Sequence, residues 1–430
     1  MSADVHQLAK MLHELDDQMV SCMKCGLCQA VCPVFAETMN EGDVARGKIA
    51  LLENLAKEMI ADAGGVQKKL NMCLLCGSCA ANCPSGVKVL DIFLKARVIV
   101  NTYMGLPAAK KAIFQGLLTK PALFNSVLDV ASRFQGLFTK QASDIIGSSC
   151  SRINAPIIGE RHFMPLAKKP LRKLEKPRNS RPGKSGYRIA FFPGCLIDKV
   201  YPHIGQAVLK IMEHHEVGVY MPAGQACCGI PALASGDKDS FDKLVACNVD
   251  VFEKENFDYL LTACATCTAT MHEIWPLMSG NLPQSMQDRI AALSAKIMDV
   301  NQFLVDVLKV EAPVAGTGTK VTYHDPCHLK KSMKVSEQPR LLLKTNPRVE
   351  FVEMADADRC CGCGGSFNLE HYTLSKEIGT RKRNDIVASE AQVVATGCPA
   401  CMLQISDMLS QHHDKVAVKH VVELYADTLS

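Results

Sequence analysis

A five-cysteine pattern occurs twice in the second half of this 430-residue chain. In each copy a single cysteine precedes an adjacent Cys-Cys-Gly motif, and a Cys-x2-Cys pair comes last. The gaps between successive cysteines are 32, 1, 36 and 3 residues in the first copy and 33, 1, 37 and 3 in the second. Such similar spacing indicates two copies of one supersecondary unit. The ten cysteines are Cys195, Cys227, Cys228, Cys264 and Cys267, then Cys327, Cys360, Cys361, Cys398 and Cys401.

Each copy predicts three short strands that alternate with helices, which is typical of a parallel sheet. Every cysteine cluster follows the carboxyl end of a predicted strand, and ligands bind at that end of open α/β sheets. Five thiolates exceed the four that one zinc ion accepts, so each copy predicts a polynuclear metal site. The predicted strands lie near residues 187–192, 217–221 and 259–262, and near 320–323, 349–353 and 392–395.

The first hundred residues contain two runs with the spacing Cys-x2-Cys-x2-Cys-x3-Cys-Pro. In this bacterial ferredoxin spacing, three cysteines of a run bind one cubane [4Fe–4S] cluster and the fourth binds the other cluster. Four-cysteine zinc sites instead use two separated pairs. We therefore expect two cubane clusters, one held by Cys22, Cys25, Cys28 and Cys83 and the other by Cys73, Cys76, Cys79 and Cys32.

The 21 cysteines are too many for packing alone, and the first residues lack the basic-then-apolar pattern of a secretory signal. Grouped cysteines in a reducing compartment bind metal more often than they form disulfides, so we expect a cytoplasmic metalloprotein. The net charge of +4 is small for this length and predicts no nucleic-acid partner. No run of 18 apolar residues predicts a transmembrane segment.

The predicted fold class is α+β, with four segments along the chain. A helical, ferredoxin-like domain for two clusters occupies residues 1–104, and a helical bridge with a basic, proline-rich linker occupies 105–186. Two repeated α/β domains with short parallel sheets follow at 187–318 and 319–430.

The bridge predicts two or three helices broken at Pro107 and Pro121. We expect their apolar residues to pack in a core, with a membrane-surface or partner-binding face as the alternative. Between Arg161 and Arg188 the chain has ten Lys or Arg and one acidic residue. That stretch predicts an extended surface arm that builds no core, and an arm that grips an acidic partner subunit is the sharper hypothesis.

The repeated units resemble the CCG domains of the heterodisulfide reductase family, in which five-cysteine sets hold non-cubane [4Fe–4S] clusters. The N-terminal segments SCMKCGLCQAVCPVFAE, DVARGKIALL and MCLLCGSCAANCPSGV extend the likeness. The order of motifs is similar to the iron–sulfur subunit of glycolate oxidase or D-lactate dehydrogenase. This resemblance implies one or two non-cubane clusters in addition to the two cubane clusters.

The resemblance also implies a function in electron transfer. Such a subunit takes electrons from FAD on a partner that oxidises a 2-hydroxy acid, D-lactate or glycolate, and passes them to a membrane quinone or another carrier. The chain has no Gly-x-Gly-x-x-Gly after a strand and no phosphate loop, so FAD is expected on the partner. A cytoplasmic location is expected, either free or peripheral on the inner membrane.

Three other functions stay open at the level of sequence. One is a heterodisulfide reductase-type catalytic subunit that cleaves a disulfide at a CCG cluster. Another is the iron–sulfur subunit of anaerobic glycerol-3-phosphate dehydrogenase, which shares the layout. The last is a zinc-stabilised interaction module without electron transfer.

The remaining cysteines are Cys150, Cys247 and Cys363. The first two are expected to ligate nothing, and Cys247 is expected to be a buried small residue. Cys363 extends the second Cys-Cys-Gly motif and could replace a neighbouring ligand, so zinc or no metal is an alternative there. His324 and His328 flank Cys327, where they could donate hydrogen bonds to cluster sulfurs or be satisfied by backbone and water.

Overall fold

The computed structural model describes residues 5–152, 159–311 and 316–429. Residues 1–4 belong to the stretch that is predicted not to be a secretory signal, and they lie outside this range. The chain forms two compact units. Unit 1 contains residues 1–119 together with two short segments, Gly229–Lys243 and Gly362–Ile378. Unit 2 contains the rest, which is Lys120–Cys228, Leu244–Cys361 and Gly379–Ser430.

Unit 1 is helical. After the first cysteine run an amphipathic helix lies at Ala45–Ala56, with Ile49, Leu52 and Leu55 buried. A longer helix follows the second run, at Val89–Met104. The α-helices of this unit are Val5–Leu12, Asp16–Val20, Leu27–Val31, Phe35–Thr38, Ala45–Ala56, Ala63–Asn71, Ser78–Ala81, Val89–Met104, Ala108–Lys111, Ile230–Ala234 and Ser366–Glu370, with 3₁₀ turns at His13–Leu15 and Glu41–Asp43 and a π-helix at Ala112–Leu118.

Unit 2 contains three sheets. The six predicted strands of the repeated units are confirmed as the fifth to seventh and the ninth to eleventh strands along the chain. The strands are β1 Thr139–Ser143, β2 Ser148–Ser151, β3 His162–Phe163, β4 Arg178–Asn179, β5 Arg188–Phe191, β6 Gly218–Met221, β7 Tyr259–Thr262, β8 Ile297–Asp299, β9 Thr319–His324, β10 Val349–Phe351, β11 Val393–Thr396 and β12 Ala417–His420.

The two larger sheets have equivalent topology. One has the order β4-β6-β5-β7-β8 and the other the order β10-β9-β11-β12. All their pairings are parallel as predicted, except that β4 is antiparallel to β6 at one edge. A single hydrophobic core joins Ile189 and Leu261 of the first sheet to Val321 and Ala395 of the second. The repeat in the sequence is therefore a repeat in the fold, with one shared core.

Helices cover these sheets. The helices of unit 2 are Pro121–Phe138, Leu171–Leu174, Gly194–Lys199, Pro202–His214, Ala265–Ala269, Trp275–Leu277, Gln284–Ser294, Val300–Gln302, Glu337–Lys344, Pro399–Gln411 and Val421–Ala426, with π-helices at Thr270–Ile274, Phe303–Val307 and His328–Ser332. The helices Lys238–Phe252 and Tyr372–Ala388 begin in unit 1 and end in unit 2.

The bridge and the basic stretch differ from expectation in two respects. Helices broken at Pro107 and Pro121 are confirmed. Most large apolar residues of the Pro121–Phe138 helix are exposed and only Phe124 and Leu128 are half-buried, so the expected core packing of that helix is wrong. The basic stretch is not merely an extended arm, because Leu171 is buried in the core and Arg178 pairs with Met221 at the sheet edge. Burial of Leu171 and the strand pairing of Arg178 together hold this segment against the unit.

Within the described residues no helix combines the length and the apolarity that crossing a bilayer requires.

Candidate metal centres

The two ferredoxin-type runs share one backbone turn. Lys24 and Leu75 hold positive φ of 55° and 53° immediately before the second cysteine of each run. Gly26 and Gly77 then hold φ of 90° and 72° immediately before a short helix. This conformation is costly for a residue with a Cβ, so its repetition at equivalent positions indicates that both runs are wound in the same way.

Four thiols from both runs line one pocket of unit 1. Cys32 comes from the first run, and Cys73, Cys76 and Cys79 come from the second. Backbone N–H groups point at two of these sulfurs, with Phe35 donating to Cys32 Sγ at 3.5 Å and Leu75 donating to Cys73 Sγ at 3.4 Å. Such donors favour a charged sulfur. These four cysteines are the set that the spacing predicts for one cubane cluster, and their donor chemistry fits such a cluster.

Buried cations lie beside this pocket. Lys48, which is 1% exposed, lines the pocket and donates to the Asp43 carbonyl. Arg97, 4% exposed, donates to the carbonyls of Leu70 at 2.6 Å and Cys73 at 2.8 Å. Burial lowers the pKa of both cations and raises the pKa of Cys32 to about 11. Positive charge in this place offsets the charge of thiolates that bind iron.

The other predicted cubane set is brought together in part. The helix Leu27–Val31, which contains Cys28, packs against the Ser78–Ala81 helix that precedes Cys83. Arg46 donates to the Lys24 carbonyl at 3.2 Å and pairs with Glu41. Burial raises the pKa of Cys28. The assignment of Cys22, Cys25, Cys28 and Cys83 to one cluster stays a prediction.

The first five-cysteine set lies in unit 2 at the carboxyl ends of β5, β6 and β7. Cys195 is hydrogen-bonded to Cys227, and Cys267 is hydrogen-bonded to both Cys228 and Cys264. These contacts, followed by burial, raise the pKa of Cys195 and of Cys267 well above the usual thiol value. Three loops far apart in sequence thus bring five sulfurs to one edge of the sheet.

Glycine is required where the loop of Cys195 approaches this set. Gly194 has φ of 71°, and a Cβ there would lie 3.2 Å from Cys267 Sγ. A side chain at this position would therefore displace a thiol of the set.

The second set follows β9, β10 and β11, where Cys360, Cys361, Cys398 and Cys401 are grouped by hydrogen bonds. Cys361 is hydrogen-bonded to Cys360 and Cys401, and these contacts lower its pKa well below the usual value. Ligand atoms of Cys361, Cys401 and His324 lie within 4.8 Å of one another, and all three residues are buried. Sequence reasoning gave His324 only a hydrogen-bonding role, whereas its distance from the sulfurs also allows it to be a metal ligand.

The two sets adjoin one another. Cys264 of the first set is hydrogen-bonded to Cys398 of the second, and Thr266 Oγ1 lies 3.6 Å from Cys398 Sγ. The flanking backbones also meet, since Ala265 N donates to the Gly397 carbonyl at 3.1 Å. The third cysteine loops of both repeats therefore form a common contact, which the spacing alone could not reveal.

The second set has a buried cation beside it, where the first repeat has a neutral residue at the equivalent position. Lys382, 1% exposed, donates to the Asp356 carbonyl at 2.6 Å, and burial lowers its pKa to about 8. Lys382 precedes Cys398 by the same interval by which Asn248 precedes Cys264 in the first repeat. Asn248 is neutral and donates to the Cys227 carbonyl at 3.0 Å. Aligning the two repeats would have located this difference in the sequence.

The three remaining cysteines have separate environments. Cys150 lies in β2 opposite Lys140, and Cys247 lies in the Lys238–Phe252 helix with its thiol 3.8 Å from the Gly224 carbonyl. Cys247 is half-buried rather than fully buried as expected. Cys363 belongs to unit 1, whereas Cys360 and Cys361 belong to unit 2.

Comparison with known families agrees with the grouping of the cysteines along the sequence. The family described as "Cysteine-rich domain" (CCG) matches residues 189–272 and 321–406, and the "4Fe-4S dicluster domain" family matches residues 18–87. The fold, the grouped thiols and these matches define the chain as an iron–sulfur subunit of an oxidoreductase complex.

Three relatives show the similarity along the chain. The probable glycolate oxidase iron-sulfur subunit of Bacillus subtilis is 30% identical over 424 residues, which are 95% of this chain and 94% of that protein. One subunit of the fumarate reductase (CoM/CoB) of Methanothermobacter marburgensis is 28% identical over 94% of this chain and 71% of its own length. Lactate utilization protein A of an Exiguobacterium species is 30% identical over 55% of this chain and 96% of its own length. The chain belongs to the family of glycolate oxidase iron–sulfur subunits.

Proposed function

We propose that this chain relays electrons within a flavin-dependent 2-hydroxy acid dehydrogenase. Two cubane clusters would be held by the eight N-terminal cysteines as assigned above, and one non-cubane cluster by each five-cysteine set. When bound, such clusters accept and release single electrons over a wide range of potentials. FAD, which converts a two-electron oxidation into single electrons, would be on a partner subunit.

One observation carries this proposal. Cys32 belongs to the first run and is distant in sequence from the second, yet it lines the same pocket as Cys73, Cys76 and Cys79. Exchange of the fourth cysteine between two runs is the arrangement of two-cluster ferredoxins. A four-cysteine zinc site would not need this exchange, because two Cys pairs suffice for zinc.

The residues around the proposed clusters have distinct tasks. The thiols bind iron, and the buried cations Lys48 and Arg97 stabilise the negative charge that a reduced cluster adds. In unit 2 the contact between Cys264 and Cys398 keeps the two five-cysteine sets adjacent. That contact supports electron exchange between the two sets within one shared core.

The partner and the acceptor are inferred from the relatives' names. The names of two relatives refer to glycolate oxidase and to lactate utilization, so we propose D-lactate or glycolate as the substrate of the FAD subunit. A membrane quinone or another carrier would receive the electrons. The chain would then work in the cytoplasm, peripherally on the inner membrane.

Metal and sulfide analysis of the anaerobically purified chain tests the cluster count. We expect about 16 irons and as many sulfides for four filled sites. Cys79→Ala should remove about four irons, whereas the matched control Cys150→Ala should remove none. Zinc in place of iron, or equal iron in both variants, would contradict the proposal.

Isolation of the complex tests the partner. The chain should co-purify with a flavoprotein, and D-lactate or glycolate added to that complex should reduce the iron–sulfur centres. Reduction by neither 2-hydroxy acid, in a complex that contains FAD, would contradict the substrate assignment.

A second function is favoured by the Methanothermobacter relative, whose similarity covers 94% of this chain. Its name refers to the thiols CoM and CoB, so a reaction of thiols or a disulfide at a five-cysteine set is the second candidate. If the reduced, isolated chain is oxidised by a disulfide as fast as by a quinone, this second function replaces the first.

A further inference from the structure

The helix Pro121–Phe138 has its apolar residues on the outside. Leu123, Val127, Val130, Phe134, Leu137 and Phe138 recur at helical spacing and are between 43% and 70% exposed. We call these six residues the exposed stripe. Surface helices of globular proteins normally turn such a stripe toward the core, so this helix has the opposite orientation.

Two polar residues of the same helix, Asp129 and Gln135, face the protein. Asp129 pairs with Arg172 and lies 2.6 Å from Lys173 Nζ. Gln135 donates to the Leu166 carbonyl at 2.7 Å and accepts from the Leu166 N–H at 2.9 Å. Hydrogen bonds and ion pairs therefore fix the helix with its stripe outward, and rotation of the stripe inward would break all of them.

The surroundings of the stripe are basic. Lys120 and Lys140 flank the helix, Arg133 lies beside the stripe, and all three are exposed. Asp129 is the one acidic residue of the helix, and its charge is neutralised by the pairs described above. Between Lys120 and Arg188 the chain has 14 Lys or Arg against four Asp or Glu, although the whole chain has a net charge of only +4.

We propose that the exposed stripe docks this chain on an anionic lipid surface, with the helix axis parallel to the membrane plane. An amphipathic helix with apolar residues on one side and cations around them binds the headgroup boundary in this way. Each Lys or Arg near such a surface strengthens binding. The inference deepens the peripheral location in the proposed function, but it requires neither the clusters nor the flavoprotein.

The charges around the stripe favour a lipid surface over a second copy of this chain or an apolar protein partner. Two copies of this chain joined stripe to stripe would bring Lys120, Arg133 and Lys140 of both copies together, and like charges repel. An apolar protein surface would leave these cations without acidic partners, whereas phosphate headgroups supply negative charge along the entire rim.

Vesicle sedimentation tests the proposal with the full-length, anaerobically purified protein. We expect binding to mixed vesicles of phosphatidylcholine and phosphatidylglycerol, weak binding to phosphatidylcholine alone, and loss of binding at high salt. The double variant Val130→Asp/Phe134→Asp should bind at least about tenfold more weakly. Arg133→Gln should reduce binding about fivefold, as expected for one cation at the surface.

Matched controls show whether the loss of binding is specific to the exposed stripe or follows from an aspartate at any exposed apolar residue. Val20→Asp and Met59→Asp change residues that are 78% and 71% exposed in unit 1, and both should bind vesicles like the unchanged protein. Iron content reports whether each variant is folded. If the aspartates lower it, Leu137→Gln at the most exposed stripe position provides the same test.

Equal binding of the stripe variant and the controls would overturn the proposal. So would an unchanged protein that does not sediment with anionic vesicles. If the stripe variant instead loses its flavoprotein or dissociates from a dimer, with no change in vesicle binding, the stripe is a protein interface. Iron content and reduction by 2-hydroxy acids test the relay separately, so failure of docking and failure of the relay can be told apart.

Discussion

The carboxylate of Asp325 is fully buried two residues before Cys327, and Arg340 supplies its main charged contacts. Arg340 donates to Asp325 from Nη1 at 3.0 Å and from Nη2 at 2.8 Å. Ser336 adds a hydrogen bond at 2.9 Å, and Lys330 lies 3.5 Å away. Although burial raises the pKa of this carboxyl, these contacts hold it below its usual value. The pair stabilises the loop that carries the first cysteine of the second set.

Replacement of Arg340 by Met should therefore be costly. Loss of one member of a buried ion pair leaves an unpaired charge and costs roughly 3–5 kcal/mol. Ser336 and Lys330 still contact Asp325 after the change, so we expect the lower end, about 3 kcal/mol. At about 2–4 °C per kcal/mol, the melting temperature should fall by about 6–12 °C.

Anaerobic thermal denaturation of the iron-loaded protein measures this effect. The matched control is Arg289→Met, which removes a guanidinium that pairs with Asp250 and Glu253 at 60% and 45% exposure. Each exposed pair contributes about 0.2–1 kcal/mol, so loss of both should lower the melting temperature by less than about 8 °C.

Two results would refute this reasoning about Asp325. One is a melting temperature of Arg340→Met that is no lower than that of Arg289→Met. The other comes from Asp325→Asn/Arg340→Met, which removes the buried charge and should recover part of the loss. A double variant less stable than Arg340→Met alone would show that the unpaired carboxylate is not the cause.

Three further predictions concern charge, protons and ligands. Lys382→Met should lower the midpoint potential of the second-set cluster by on the order of 50 mV in an EPR redox titration, because a buried cation stabilises the reduced state. Burial lowers the pKa of His215, so the unfolded chain binds its proton first as the pH falls below about 6.5. Stability measured by urea denaturation should therefore decline from pH 7 to pH 5, and less so in His215→Gln; an equal decline in that variant would contradict the prediction. Cys363→Ala should keep the full iron content, whereas Cys361→Ala should lose about four irons; equal losses would make Cys363 a ligand.

The sequence predicted what depends on local spacing. Strand positions followed from short β-branched runs, and the sets at the sheet edges followed from cysteines after those runs. The pocket shared by Cys32 and Cys73 agrees with the ferredoxin spacing. These features are predictable because cluster-binding cysteines recur at a fixed spacing and strands have a recognisable pattern of apolar residues.

Contacts between residues that are far apart in the sequence could not be predicted from local spacing. The sequence predicted a helix after Pro121 and left two coverings open for its apolar residues, the core or a membrane or partner. The answer depended on Asp129 and Gln135, whose partners Arg172 and Leu166 lie 43 and 31 residues away. Leu171 likewise reached the core from a stretch whose composition predicted only a surface arm. The composition of a whole stretch does not show that one of its residues, such as Leu171, is buried.

The segments Gly229–Lys243 and Gly362–Ile378 follow the two Cys-Cys pairs directly, yet both belong to the N-terminal unit. Arg97 donates to the Ala234 carbonyl at 2.8 Å, 137 residues onward, and a Cβ on Gly364 would lie 2.5 Å from Leu74. A fragment truncated near residue 104 would thus lack part of its own interior and leave a guanidinium short of an acceptor. Ferredoxin-like and CCG portions are consecutive in the gene product but interleaved in space, so neither could be transplanted alone without carrying along pieces of the other.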